Sequence, residues 1–141
     1  MKLERIIVAV DGSANSVAAV DWAAGLAQAT GAEVVAVHAL GLLERVDDDA
    51  NVPTQSHREE IRHRLETMWC EPLARAGVAY EPLLRDGSPV SVVLEVADEV
   101  EADVVVVGSR GLGGYPELLL GSTSTQIAQH SVRPVVIVPT S

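Results

Sequence analysis

Two segments of this 141-residue chain carry groups suited to chemistry on a charged ligand. The first runs Gly108-Ser109-Arg110-Gly111-Leu112-Gly113-Gly114 and continues through Tyr115-Pro116-Glu117-Leu118-Leu119-Leu120 to Gly121-Ser122-Thr123-Ser124. Glycines let the backbone approach a ligand closely and adopt positive φ. Successive N–H groups in such a bend can form an anion nest. Gly121-Ser122-Thr123 stands where a helix is predicted to begin, and unsatisfied N–H groups and the helix dipole favour a phosphate there. The hydroxyls of Ser122, Thr123 and Ser124 add donors, and Arg110 is the local counter-charge. A structural turn is the competing reading of the same glycines. The second segment is Asp11-Gly12-Ser13, which sets a carboxylate directly after an apolar run.

Other phosphate motifs fit poorly. A P-loop needs a lysine after its last glycine, and Ser122 stands there instead. A dinucleotide fingerprint would follow the first strand, where the turn is only Asp11-Gly12-Ser13. No Ser/His/Asp triad or carboxylate pair is justified by spacing, so no catalytic residue is assigned. His38, His57, His63 and His130 are scattered, and a six-residue separation puts His57 and His63 on different helical faces; no metal site is expected. The acidic cluster at Glu44, Asp47, Asp48 and Asp49 lacks an EF-hand pattern and reads as a solvated loop. Trp22, Trp69 and Cys70 are expected to pack in the core. His38 is expected at the core or its rim, with a ligand contact as the alternative.

The elements that must position these groups alternate. Arg5–Val10 (RIIVAV) reads as a buried strand, and Ala14 to Ala29 as an Ala-rich helix stopped by Gly31. Val34–Leu40 is a second strand. Ser56 to Ala76 is a helix with Ile61, Leu65, Met68 and Leu73 on one face, kinked or ended by Pro72. Val78–Leu84 is a third strand, and Pro82 within it points to a sheet edge. Ser88-Pro89 starts a helix that runs to about Val100. Asp103–Val107 is a strand, Ser122 to His130 a helix and Pro134–Val138 the last strand. This β-α alternation implies a parallel sheet with helices on both faces. Ligands in such sheets sit at the carboxyl ends of strands, where the winding reverses.

The totals agree. Apolar residues make up 48% of the chain, yet Phe is absent and aromatics are 3%, so the core is built from Val, Leu, Ile and Ala. The net charge of −10 argues against a nucleic-acid partner, which usually meets a basic face. One cysteine excludes an intrachain disulfide and suits a reducing compartment. The apolar run in MKLERIIVAVDG is too short for a signal peptide or membrane span, so a cytoplasmic location is expected. The length suits a single domain over 1–141.

The spacing Gly108-x2-Gly111-x9-Gly121-Ser122, between a DVVVVGSRG strand and a PVVIVP strand, resembles the universal stress protein family. The IIVAVDGS opening, the VVAVHAL strand and Gly87-Ser88-Pro89 extend the likeness along the chain. The resemblance implies a five-stranded parallel sheet in the order 3-2-1-4-5, the adenine nucleotide alpha hydrolase-like fold. Its glycine pattern is that of the family's ATP-binding branch. It implies Asp11 beside the nucleoside and the backbone near Ala39 at the adenine. Gly108, Gly111, Gly121 and Ser122 would surround ribose and phosphates, with Arg110, Thr123 and Ser124 close by. It also implies a homodimer through the last strand, Pro134–Val138. Tyr115, Pro116 and Glu117 depart from the basic residues common in relatives.

A micromolar ligand needs about −8 kcal/mol. A helix terminus contributes roughly 0.3–1 kcal/mol per charge interaction. Adenine burial must therefore contribute, and Val10, Val37 and Ala39 are the residues expected to form its apolar slot. Three functions follow as expectations. The first is an ATP-dependent regulatory module in the stress response, with Mg²⁺ accompanying the nucleotide. The second is slow ATP hydrolysis or self-phosphorylation on Ser122, Thr123 or Ser124. The third is a nucleotide-free interaction domain, against which the full glycine pattern counts.

Overall fold

Runs of Val and Ile give the chain its strands, because β-branched side chains suit a pleated surface covered on both sides. The computed structural model describes residues 2–41, 55–109 and 121–139. Its strands are β1 (Arg5–Ala9), β2 (Glu33–Leu40), β3 (Tyr80–Asp86), β4 (Val104–Gly108) and β5 (Val135–Val138). They pair in parallel in the order β3-β2-β1-β4-β5. The helices are α1 (Ala14–Thr30), α2 (Gln55–Arg64), α3 (Glu71–Ala76), α4 (Pro89–Val100) and α5 (Ser122–His130). A π-helical turn over Leu65–Trp69 joins α2 to α3. The 3-2-1-4-5 sheet implied by the family resemblance is the one formed.

Alternation along the strands divides the core into two layers. Ile6, Val8, Val10, Val34 and Ala36 share one layer with α1, Leu65, Cys70 and Leu73. Ile7, Val35, Val37 and Ala39 share the other with Val92, Val93 and Val96 of α4 and Ile127 of α5. Burying a side chain of Val or Leu size stabilises the fold by about 1.5–3 kcal/mol. Caps fix where the helices start. The Ser13 hydroxyl oxygen accepts from Ser16 N–H (3.2 Å), and that of Ser88 accepts from Ser91 N–H (3.2 Å). Pro89 follows Ser88 in the first turn of α4, where no N–H is needed.

Several expectations change in the structure. The long helix from Ser56 is split. Cys70 N–H bonds to the Leu65 carbonyl five residues back (3.2 Å), and Pro72 enters the first turn of α3. The extra residue in the π turn rotates Met68 out of the predicted apolar face, leaving it 65% exposed, and brings Cys70 fully inside. Trp22, expected to pack, is 42% exposed on α1. The third strand starts at Tyr80 rather than Val78 and ends at Asp86. β3 is an edge strand, as Pro82 implies. Val34 N–H donates to Ala79 C=O and Gly87 N–H to Leu40 C=O, so odd-numbered residues of β3 face β2 and the Pro82 nitrogen faces the open side.

Asp103 precedes β4 instead of opening it. Its Oδ2 accepts from Arg5 N–H (2.9 Å) and Glu4 N–H (2.8 Å), and these bonds hold its carboxyl below its ordinary pKa. Among the described residues, no helix is long and apolar enough to cross a membrane.

Candidate functional site

The strand order reverses between β1 and β4, and both strands end at the same edge of the sheet. Hydrogen bonds tie four pieces together there: the turn after β1, the end of β2, the end of β4 and the start of α5.

The start of α5 hangs on the end of β4. Gly121 N–H donates to Ser109 C=O (2.7 Å), and the Ser124 hydroxyl donates to the same oxygen (2.9 Å). Ser109 is itself fixed on both sides. Its N–H donates to Val138 C=O of β5 (3.0 Å), and its hydroxyl donates to Asn15 Oδ1 (3.0 Å). Gly121 is the N-cap residue and has no side chain with which to cap. Among the described residues, no hydrogen bond comes from the amide N–H groups of Ser122, Thr123 or Ser124. Three donors and the positive end of a nine-residue helix therefore stand at the switch point. The Ser122 side chain is exposed and Thr123 half-buried. Ser124 differs from the expectation: the residue is 3% exposed and its hydroxyl is turned to carbonyl oxygens, so it braces the helix.

The turn after β1 is equally constrained. Asp11 Oδ1 accepts from Ser13 N–H (2.9 Å) and the Ser13 hydroxyl (2.6 Å), while Asp11 N–H donates to the Ser16 hydroxyl oxygen (3.1 Å). The carboxylate is thus oriented by the first turn of α1. Gly12 has φ +81°, and a Cβ there would lie 2.7 Å from Trp69 Cζ2.

The end of β2 presents backbone. Glu33 N–H donates to Glu4 C=O, so odd-numbered residues of β2 face β1. Val10 N–H donates to Val37 C=O (2.8 Å), two residues before Ala39. The Ala39 N–H and C=O then face the side where β1 has ended. The Val10 carbonyl takes the His38 ring (Nδ1 at 2.7 Å); a carbonyl only accepts, so Nδ1 carries the proton. His38 is 5% exposed, and its ring lies 5.2 Å from that of Trp69. His38 is thus a core histidine.

The three residues expected to form one apolar slot do not share a face. Val10 lies in the α1 layer, whereas Val37 and Ala39 lie in the α4 layer, and none is more than 7% exposed. Strand alternation separates them. Arg110, Gly111, Tyr115, Pro116, Glu117 and the Glu44–Asp49 cluster lie outside the described residues. The structure adds Asn15, Ser109 and Trp69 to the site. The sequence signal for Ser109 is its place in the glycine segment; Asn15 and Trp69 sit inside predicted helices and carry none.

Cys70 makes no contribution at this edge. It is fully buried, and burial, aided by Glu66, pushes its thiol pKa up to about 11. A recess of about 470 Å³ lies at the opposite edge of the sheet, among Glu33, Glu81, Glu99 and Glu101. Those four carboxylates outnumber the one cation lining the recess, Arg5, and disfavour a phosphate; the recess includes neither the start of α5 nor the Asp11 turn.

The family model described as the universal stress protein family matches residues 2–139. This chain belongs to that family. A universal stress protein of Thermus aquaticus is 36% identical over 139 residues, covering 96% of this chain and 98% of the relative. Universal stress protein YxiE of Bacillus subtilis is 33% identical over 151 residues, covering 95% and 97%. A universal stress protein solved in complex with cAMP is 31% identical, with a TM-score of 0.77 and full coverage of both chains.

Proposed function

We propose that this universal stress protein is an ATP-binding regulatory module of the family's nucleotide-binding branch. The observation that carries the proposal is the uncapped first turn of α5, held against Ser109 beside the Asp11 turn and the backbone of Ala39. The similar protein solved with cAMP supports an adenine nucleotide as the ligand class.

In this reading the base lies along the Ala39 backbone, near Val10 and Val37, and Asp11 faces the ribose. Gly108, Gly111 and Gly121 give the chain its close approach. The amides of Ser122, Thr123 and Ser124, with Arg110, hold the phosphates. Mg²⁺ would travel with the phosphates and keep much of its water, with Asp11 as the carboxylate nearest to hand. The protein would act in the cytoplasm, and occupancy would alter the shape of a homodimer. The second copy would pair along Pro134–Val138, because β5 is an edge strand whose Val135, Val136 and Ile137 are only half-buried.

Calorimetric titration tests the reading. ATP should bind at least about ten-fold more tightly than adenosine, a difference of about 1.4 kcal/mol. No heat with ATP at high protein concentration would remove the proposal. Equal affinities would remove the role of α5. A monomeric mass at micromolar concentration would remove the dimer.

A further inference from the structure

The search for the apolar part of the site leads away from the strands. Val10, Val37 and Ala39 are closed into two separate core layers, so their side chains offer little surface to a base. We infer that Trp69 forms the wall of the nucleoside part of this site, presenting its indole face and Nε1–H to a purine nucleoside. The inference rests on the nucleotide reading above and adds a specificity-determining residue to it.

Three observations point to Trp69. Its indole covers Gly12: Cζ2, Cε2 and Nε1 lie 2.7, 2.9 and 3.2 Å from where a Cβ on Gly12 would be. That places the ring against the turn that holds Asp11. Its other neighbour is His38, at 5.2 Å and 60°, whose own ring is fixed by the Val10 carbonyl. Finally, the indole is half-buried, and Nε1–H makes no hydrogen bond among the described residues. An indole N–H in a protein usually finds a partner when buried, so this one is available to a ligand oxygen.

The π turn explains how the ring gets there. Its i to i−5 bond from Cys70 to Leu65 inserts one residue, turning Met68 outward and Cys70 inward, with Trp69 between them at the Asp11 edge. Such bulges recur at functional sites. A base packed on an aromatic ring gains about five-fold or more in affinity.

The chain has two tryptophans, so Trp22→Phe leaves Trp69 as the sole indole. In that background, emission should change on saturation with ATP and also with adenosine, with midpoints matching calorimetry. Trp69→Leu should weaken both ligands about ten-fold, and Trp69→Phe, which keeps a ring but loses the donor, about three-fold. Urea unfolding of each variant separates lost affinity from lost fold. Calorimetric binding with silent Trp69 emission and an unchanged affinity in Trp69→Phe would overturn this inference alone. An absence of heat from the wild-type protein with ATP would overturn the nucleotide reading and this inference with it.

Discussion

Gly108 at the end of β4 packs directly on Asn15 in the first turn of α1: a Cβ on Gly108 would lie 2.6 Å from the Asn15 carbonyl oxygen and 2.8 Å from its carbonyl carbon. Backbone at both partners leaves no flexible side chain to give way. The first glycine of the motif is therefore required by packing, whatever it offers a ligand. Gly108→Ala should destabilise the nucleotide-free protein by about 1–3 kcal/mol, as overpacking does. The check is the urea midpoint without nucleotide. An unchanged midpoint would return Gly108 to a role in binding alone.

Ser124 makes the converse point about hydroxyls. Its buried donor to Ser109 C=O joins α5 to β4, and Gly121 N–H remains on that oxygen when the hydroxyl is removed. Ser124→Ala should therefore cost about 0.5–1.5 kcal/mol of stability, the usual net worth of such a bond. Ser122→Ala, at an exposed position, should leave the midpoint within about 0.5 kcal/mol. Equal effects on stability would contradict the bracing role of Ser124.

The sheet is legible in the sequence because RIIVAV, VVAVHAL, DVVVV and PVVIV are apolar and β-branched, and two-sided burial asks for little else. The element order implies a parallel sheet, and the place of the switch point comes from the strand order that the family resemblance implies. The site is legible only in part. Glycine and hydroxyl spacing marks the start of α5, but residue types do not say which hydroxyl points inward. Apolar residue types also do not reveal that Val10 faces one core layer while Val37 and Ala39 face the other. Met68 leaves the predicted apolar face while Cys70 stays buried, because a π turn inserts one residue into a helix whose apolar spacing otherwise reads as regular.

Cys70 should behave as an inert core thiol. The folded-state pKa of about 11, against 9.0 for the free side chain, keeps it protonated at neutral pH. Labelling by a thiol reagent at pH 8 should be slow in the native protein and should accelerate with urea as the fold opens. The same shift makes its contribution to stability complete below pH 9 and lost as pH rises toward 11. Rapid native labelling would contradict its burial.

Asp103 gives the acid side of the profile. The Arg5 and Glu4 amides stabilise its charged form, so the folded pKa is depressed. Its contribution is present above the unfolded carboxylate pKa and is lost as pH falls through the folded one. Asp103→Asn should be less stable than wild type at pH 7, and the gap should narrow as pH falls through the depressed folded pKa. A gap that is independent of pH would show that the carboxylate charge does not matter.

The central claim is that the first-turn amides of α5 hold phosphate, and their own resonances test it most directly. In ¹H–¹⁵N spectra of the wild-type protein, the Ser122 and Thr123 amide protons should move downfield on saturation with ATP. With adenosine at equal saturation they should stay near their starting positions. Saturable ATP binding that leaves both amides unmoved would contradict the account.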